Sequence, residues 1–296
     1  MWLLKNWMKD IPDTTKISEI NIPGTHDSCT LNVQFPFLAK CQNTTISEQL
    51  TSGVRFLDIR VEKDGERLKL VHDIADCKNP VNTRKKLYLD DVITDCKSFL
   101  SENSSETILL SYKRDDGANQ EETFDVFFEN HLNKDAIWYK ENRIPLLKEV
   151  RGKIVLLNRC GADINNTIYT DENTGINLTG WPYQNSRNEA CLQKVLIAKR
   201  NGISDEYFYL QDFFNLKPKK KWEIAILPAI QNSPQDKSIT LNFFSGNNGF
   251  SSPKRYSRII FKRFFDYELS PMKKYGWFIL DFPNKKIIKK IILSNY

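Results

Sequence analysis

Three histidines are the first candidates for chemistry in this chain of 296 residues. His26 follows an apolar run and a Pro-Gly turn, and Asp27 comes directly after it. His72 ends a second apolar run, whereas His131 lies in a helical pattern without a chemical partner nearby. An imidazole titrates near neutral pH, so it can take up or release a proton. We expect His26 and His72 to be reactive and His131 to be structural.

Charged residues occur inside or directly after the predicted strands. Asp58 and Arg60 interrupt the apolar run at 53–61, where unpaired charges would be costly. Two histidines with a fixed arginine suit phosphoryl transfer, because one imidazole deprotonates the nucleophile and the other protonates the leaving oxygen. The guanidinium would neutralise the phosphate oxygens. Asp27, Asp58 and Asp281 are placed to orient or charge-stabilise these groups.

The periodicity of apolar residues predicts the elements that carry these side chains. Strands are predicted at 17–22, 53–61, 68–72, 107–112, 153–158, 207–210, 239–244 and 276–280. Helices are predicted after Thr45 and at 88–100, 121–132, 189–199, 222–230, 254–267 and 287–293, with loop at 161–185. Pro228 would disturb its helix. Alternating strands and helices indicate a largely parallel sheet.

The candidate polar residues gather at one end of these strands, which is typical of a (β/α) barrel with its active site at the carboxyl ends. The strand count is near eight, but some helices are short or missing. The sequence therefore predicts a single α/β domain over 1–296, a distorted and incomplete barrel of the TIM type.

Composition narrows the possible partners. The hydrophobic content of 40% permits a sizeable core, and the net charge of +6 mildly favours anionic partners. No motif for nucleic acid, nucleotide or zinc occurs, so we expect no cofactor or metal. We also expect the protein to be a monomer. The six cysteines lack metal-ligand spacing, and we expect most to be reduced. The first residues are too short for a signal peptide, so the chain is either leaderless and cytoplasmic, or secreted after removal of a leader.

Several motifs, in order along the chain, resemble those of bacterial phosphatidylinositol-specific phospholipases C. They are Ile22-Pro-Gly-Thr-His-Asp-Ser28, Gly53-Val-Arg-Phe-Leu-Asp-Ile-Arg60, Leu70-Val-His72, residues 99–113, residues 151–159, Gln211-Asp212 and residues 276–281. One motif alone would be weak, but the ordered set is specific.

The resemblance implies metal-independent cleavage of phosphatidylinositol at a membrane surface, giving diacylglycerol and inositol 1,2-cyclic phosphate. His26 would be the general base and His72 the general acid. Asp281 would hold His26, and Asp27 would hold His72 or tune the leaving-group side. Arg60 would bind the phosphate with Asp58 positioning it.

The resemblance also implies an inositol site. Lys113, Arg159 and Asp212 match positions that hydrogen-bond the inositol hydroxyls. Phe214 stands where the family usually stacks a tyrosine on the ring, so the hydroxyl is lost, and Cys29 replaces a usual glycine. Free phosphatidylinositol and glycosyl-phosphatidylinositol anchors both remain possible substrates.

Two alternatives stay open beside this interpretation. A calcium-dependent phospholipase C has a similar fold, but here Arg60 occupies a ligand position and Asp27 stands where those enzymes usually have Asn. A non-catalytic phosphoinositide-binding protein would be favoured by loss of either histidine, and both are present. Five phenylalanines could form a membrane-inserting rim or ordinary core: Phe35, Phe37, Phe243, Phe244 and Phe250.

Overall fold

A computed structural model of the chain describes residues 4–115, 120–163, 165–184, 190–247 and 251–296. The strands are β1 (Ile22–Thr25), β2 (Phe56–Asp64), β3 (Arg67–His72), β4 (Ala75–Asp76), β5 (Ile108–Arg114), β6 (Trp138–Tyr139), β7 (Ile154–Asn158), β8 (Ile176–Asn177), β9 (Gln193–Leu196), β10 (Tyr207–Gln211), β11 (Ile239–Phe243) and β12 (Trp277–Leu280).

The helices are α1 (Pro36–Ala39), α2 (Ile46–Thr51), α3 (Leu89–Glu102), α4 (Gln120–Phe127), α5 (Leu147–Val150), α6 (Pro218–Lys221), α7 (Leu227–Gln231), α8 (Pro253–Asp266) and α9 (Lys285–Leu293). The capping box predicted before α2 is present, since Thr45 and Glu48 exchange hydrogen bonds. No helix among these described ranges is long and apolar enough to cross a membrane.

The strands form one largely parallel sheet that makes an incomplete barrel, as predicted. Hydrogen-bonded neighbours follow the order β6-β7-β5-β2-β1-β12-β11-β10-β9, and β8 lies beside β7. The first and last strands are therefore neighbours, with Ile22 opposite Trp277 and Thr25 opposite Leu280. Within the described part of the chain, no backbone ladder joins β7 and β8 to β9 and β10. We call this gap the open side.

A β-hairpin brings the second histidine to the same end of the barrel as the first. β3 runs antiparallel to β2, with Val61 opposite Leu70. The chain thus turns back, and His72 at the end of β3 returns to the level of Asp58 and Arg60 in β2.

The predicted strand at 17–22 is wrong over most of its length. Residues Ile17–Glu19 form a 3-10 turn, and β1 begins only at Ile22. Ile17 and Ile20 are both buried, which a turn achieves with a spacing of three residues. Ser18 is fixed by a 2.6 Å bond from its Oγ to the carbonyl of Lys237. The spacing of the apolar residues is compatible with either a strand or a 3-10 turn, and tertiary contacts determine that the turn forms.

The predicted helix at 189–199 is also wrong, although residue 189 lies outside the described part. Gln193–Leu196 form β9, which pairs antiparallel with β10, Leu196 opposite Tyr207. The half-buried and exposed residues of β9 alternate, as expected for an edge strand. The loop predicted at 161–185 holds the short strand β8 as well.

The helix predicted at 222–230 is present and extends from α6 to α7. A π-helical turn, Trp222–Ile226, joins the two helices just before Pro228. Proline cannot donate the backbone hydrogen bond of a regular helix, and the wider π turn accommodates this loss.

The proposed aromatic rim is only partly correct. Phe243 and Phe244 are buried in the core, so they cannot insert into a membrane, and Phe250 lies outside the described residues. Phe35 and Phe37, at the short helix α1, are 63% and 75% exposed.

Candidate active site

A cavity of about 470 Å³ opens at the carboxyl ends of the parallel strands. Its lining includes eight predicted site residues: His26, Arg60, His72, Lys113, Arg159, Asp212, Phe214 and Asp281. The other two, Asp27 and Asp58, are buried directly against the lining residues. The structure thus brings together every residue predicted from the sequence.

His26 and Asp281 meet because their strands are neighbours. Thr25 of β1 pairs with Leu280 of β12, so the residues that follow them lie side by side. His26 Nδ1 is 2.9 Å from Asp281 Oδ1. Gln42 fixes this junction, since its Nε2 donates to the carbonyls of His26 and Leu280 at 2.7 and 3.0 Å.

Asp27 lies at the centre of the charged groups. Its Oδ2 is 3.1 Å from His26 Nε2 and 3.3 Å from His72 Nε2. Its Oδ1 is 2.7 Å from Arg60 Nε. The sequence interpretation expected Asp27 to hold His72 or to tune the leaving-group side. In the structure, the carboxylate contacts His72, His26 and the guanidinium of Arg60.

Arg60 is held by three carboxylates. Asp58 Oδ2 and Asp115 Oδ1 lie 3.3 and 3.0 Å from its terminal nitrogens, beside the contact with Asp27. The guanidinium also lies 3.0 Å from His26 Nε2. These contacts fix the orientation of the arginine before any ligand arrives.

Asp115 was missed in the sequence analysis. It follows β5, and Lys113 and Arg114 of that strand pair with Arg60 and Val61 of β2. Its other oxygen accepts a hydrogen bond from the backbone N–H of Asp73. The carboxylate therefore connects Arg60 to the turn that follows His72. The signal was its place at a strand end, but only knowledge of the pairing could have revealed its partner.

The ring of His72 is oriented from the side of α1. Its Nδ1 lies 2.7 Å from the carbonyl oxygen of Ala39, which can only accept, so Nδ1 carries a hydrogen. This leaves Nε2 directed at Asp27 and the cavity. The two imidazole centroids are 6.2 Å apart.

Charge and burial shift the ionisation of these groups. Burial alone would lower the pKa of His26, but the adjacent carboxylates of Asp27 and Asp281 raise it to about 9. Burial opposes ionisation of Asp58 too, yet Arg60 and Arg159 lower its pKa to about 2. Arg60 itself is desolvated, and its carboxylate partners hold its pKa well above the usual value. The site thus keeps Arg60 and Asp58 charged at neutral pH.

A left-handed residue follows three of the functional side chains. Asp27, Asp73 and Phe282 have φ of 42°, 53° and 49°, and they come directly after His26, His72 and Asp281. Each such conformation costs about 1–2 kcal/mol in a non-glycine residue. The backbone N–H groups of all three are bonded, to Asp58, Asp115 and the carbonyl of Cys41. The surrounding structure thus maintains the strain.

Among the residues that the structure describes, one group of potential metal ligands lies at this site. Ligand atoms of His26, Asp27 and Cys41 lie within 4.8 Å of one another, a proximity that cysteine spacing alone could not reveal. The guanidinium of Arg60 contacts two of these residues, and burial raises the pKa of the Cys41 thiol well above its usual value. A cation here would meet a fixed positive charge and a protonated thiol, so we assign no metal to this group.

Comparison with known proteins finds relatives of one kind. Residues 17–160 match the model of the phosphatidylinositol-specific phospholipase C X domain. The chain is 29% identical to a 1-phosphatidylinositol phosphodiesterase of Staphylococcus aureus, with 98% of this chain and 94% of that protein aligned. A protein of the same name from Listeria monocytogenes is 27% identical, covering 98% and 85%.

A solved S. aureus phosphatidylinositol-specific phospholipase C superposes with a TM-score of 0.76 at 27% identity, covering 99% of this chain and 98% of that one. The chain resembles bacterial phosphatidylinositol-specific phospholipases C in sequence and in fold over nearly its whole length. The resemblance predicted from the ordered motifs is confirmed, and so is the fold class of an incomplete, TIM-like barrel.

The predicted inositol-binding residues line the rest of the same cavity. Arg159 follows β7 and is stacked on Trp181, with its Cζ 3.6 Å from the ring centroid. Asp212 follows β10 and accepts a hydrogen bond from Trp181 Nε1 at 3.3 Å. Phe214 meets Tyr183 at 5.3 Å between ring centroids. Lys113 is partly desolvated, and burial together with the positive charges of Arg60 and Arg159 lowers its pKa.

Sequence reasoning missed Trp181, Tyr183 and Gln184, which all line this cavity. They lie in the segment predicted as loop, where no strand pattern points to a site. The available signal was the presence of two aromatic residues, Trp181 and Tyr183, in this segment. His131, by contrast, lies away from the cavity as predicted, 3.6 Å from Asp90.

Proposed function

We propose that this protein cleaves phosphatidylinositol without a metal ion, releasing diacylglycerol and inositol 1,2-cyclic phosphate. The observation that carries the proposal is the contact of Asp27 with His26, His72 and Arg60 in one open cavity. The relatives named 1-phosphatidylinositol phosphodiesterase support the substrate class.

In the first step, the neutral form of His26 accepts the proton of the inositol 2-hydroxyl through Nε2. The pKa of about 9 makes this neutral form a minority at neutral pH. The Nδ1–H of His26 donates to Asp281, which favours the tautomer that this role requires. The freed oxygen attacks phosphorus, and the bond from phosphorus to the glycerol oxygen breaks. His72 gives its Nε2 proton to that departing oxygen.

Arg60 binds the phosphate oxygens on which negative charge grows. Asp27, Asp58 and Asp115 hold its guanidinium in place, so little reorganisation is needed at the moment of reaction. In a slower second step, water opens the cyclic phosphate, with the roles of the two histidines exchanged.

In this proposal, the inositol ring lies in the cavity against the predicted inositol-binding residues. Lys113 and Arg159 donate hydrogen bonds to ring hydroxyls, and Asp212 accepts them. Phe214 provides an apolar face for the ring. An unsubstituted inositol and one that carries a glycan both fit this scheme, so glycosyl-phosphatidylinositol anchors remain candidate substrates.

Contact with the membrane is proposed to occur around α1. Phe35, Phe37 and Leu38 are exposed there, and Leu38 also lines the cavity mouth. One solved relative was studied for its membrane binding. We propose a monomeric enzyme that meets the lipid surface peripherally.

The test is phosphorus NMR of the protein with phosphatidylinositol vesicles in excess chelator. A cyclic inositol phosphate signal without metal is the expected result. Turnover that appears only after calcium is added would overturn the metal-independent scheme and favour the calcium-dependent alternative. Vesicle binding without turnover in either condition would favour a binding protein.

A further inference from the structure

One short segment contacts three of the four proposed inositol-binding residues. We call residues 181–184 the wall segment. Trp181 stacks on Arg159 and donates to Asp212. Tyr183 packs against Phe214. Gln184 Oε1 accepts a hydrogen bond from the backbone N–H of Asp212, while its Nε2 donates to the carbonyl of Leu210 at 3.1 Å.

The wall segment lies at the open side of the barrel. Arg159 follows β7 and Asp212 follows β10, the two strands between which the described residues form no backbone ladder. The indole of Trp181 bridges these strand ends. It also packs against Phe208 of β10 and Phe243 of β11, with ring centroids 6.1 and 5.6 Å away.

In an open barrel, the backbone does not fix the distance between the strand ends on the two sides of the gap. Strand ends joined by a ladder keep a fixed distance, whereas Arg159 and Asp212 have no such constraint between them. A guanidinium stacked on an indole is restricted to one plane. A carboxylate bonded to the indole N–H is restricted as well, and the side chain between them sets their separation.

We propose, building on the function given above, that the wall segment acts through Trp181 as the positioning element for the inositol headgroup. Trp181 fixes Arg159 and Asp212 at the spacing that neighbouring hydroxyls of a cyclic polyol require. Arg159 donates to one hydroxyl and Asp212 accepts from the other. The indole face also shields these bonds from water.

Other roles for this tryptophan make different predictions. A membrane-contacting side chain would affect vesicle binding and leave a soluble substrate unaffected. A side chain needed only for folding would lower thermal stability without changing headgroup affinity. The half-buried position of Trp181 beside two charged groups favours the positioning role.

The experiment uses Trp181→Leu, which removes both contacts, and Trp181→Phe, which keeps a ring but loses the N–H donor. Trp138→Phe is the matched control, since Trp138 is buried against Phe127 outside the cavity. The KM and kcat for soluble inositol 1,2-cyclic phosphate, the thermal midpoint and vesicle binding are measured for each. Intrinsic fluorescence is followed during titration with myo-inositol.

Trp181→Leu is expected to raise KM about tenfold, and Trp181→Phe about threefold, with kcat changed less, because each lost contact to a charged group weakens binding. Vesicle binding stays as in the parent protein. The fluorescence response to myo-inositol persists in Trp138→Phe and disappears in Trp181→Phe.

An unchanged KM in both Trp181 variants, or a fluorescence response that survives Trp181→Phe, would overturn the proposal. The two proposals fail separately. A parent protein that binds myo-inositol but cleaves no phosphatidylinositol rejects the function alone. A parent protein that cleaves the lipid while the Trp181 variants match it rejects only the positioning role.

Discussion

The two walls of the cavity are built by different means. The wall with the proposed catalytic residues, the catalytic wall (His26, Asp27, Arg60, His72 and Asp281), lies near the middle of the sheet. Its residues come from the ends of β1, β12 and the hairpin strand β3 and from within β2. Ladder hydrogen bonds and ion pairs fix it. The wall with the proposed inositol-binding residues, the inositol wall (Lys113, Arg159, Asp212, Phe214 and Trp181), extends to the strands at the open side. It depends more on stacked rings, beside one ion pair from Arg159 to Asp58.

This difference suggests that the two walls have separate roles, one in the chemical step and the other in headgroup recognition. Charge that must be in place in the transition state belongs where the backbone is most constrained. Groups that recognise a neutral polyol tolerate looser support, because binding can select their geometry. Substitutions on the catalytic wall should therefore lower kcat, and substitutions on the inositol wall should mainly raise KM.

The strongest test of the catalytic wall is His26→Ala. Loss of the general base is expected to lower kcat by about 10²–10⁴-fold or more. Cleavage of phosphatidylinositol is measured beside His131→Ala, the control histidine outside the cavity. Retained activity in His26→Ala, with folding intact by circular dichroism, would refute the assigned mechanism.

Arg60→Lys tests whether the planar guanidinium matters beyond its charge. A lysine can reach only part of the set formed by Asp27, Asp58 and Asp115, so we expect kcat to fall by about 10²–10³-fold. Arg159→Lys is the matched change on the inositol wall and should act on KM. Equal effects of the two variants on kcat would refute the proposed difference between the catalytic wall and the inositol wall.

Asp212→Asn is the corresponding probe of recognition. The amide keeps the size of the side chain but loses the charged acceptor, so we expect KM to rise about tenfold, roughly the effect of one hydrogen bond to a charged group. Initial rates over a range of cyclic phosphate concentrations separate KM from kcat. A large loss of kcat with constant KM would place Asp212 with the catalytic residues.

The smallest effect concerns stability and pH. The folded pKa of His26 is raised to about 9 from 6.5, so its ion pairs stabilise the fold fully below pH 6.5 and are lost as pH rises through 9. His26→Gln should therefore cost more stability at pH 6 than at pH 10, by at most about 3 kcal/mol. Denaturant unfolding at both pH values measures this.

His131→Gln provides a control with the opposite sign. Burial lowers the pKa of His131, so the stability that its neutral form contributes is lost as pH falls. A cost of His26→Gln that does not depend on pH would contradict the raised pKa.

The two walls also differ in how far the sequence alone predicted them. The catalytic wall was visible in the sequence because its residues sit in short motifs at strand ends, beside apolar runs. The strands β2 and β3 and the helices α3, α8 and α9 were predicted near their observed bounds, since their apolar periodicity is strong. These features depend on local sequence alone.

The rest depended on contacts between distant residues. β9 was predicted as helix because only its pairing with β10 makes it a strand. Asp115 and Trp181 gained their partners through strand register and through the open side, neither of which local sequence encodes. The spacing of apolar residues likewise could not separate the 3-10 turn at Ile17–Glu19 from a strand.

The pairing of β1 with β12 also bears on how the protein is made. His26 is synthesised before its partner Asp281, which lies 255 residues later in the chain. A nascent chain has the base without the carboxylate that orients it, and β1 without one of its two neighbours. The pair of His26 and Asp281 can therefore form only after Asp281 has been synthesised, and a chain terminated before that residue lacks the pair.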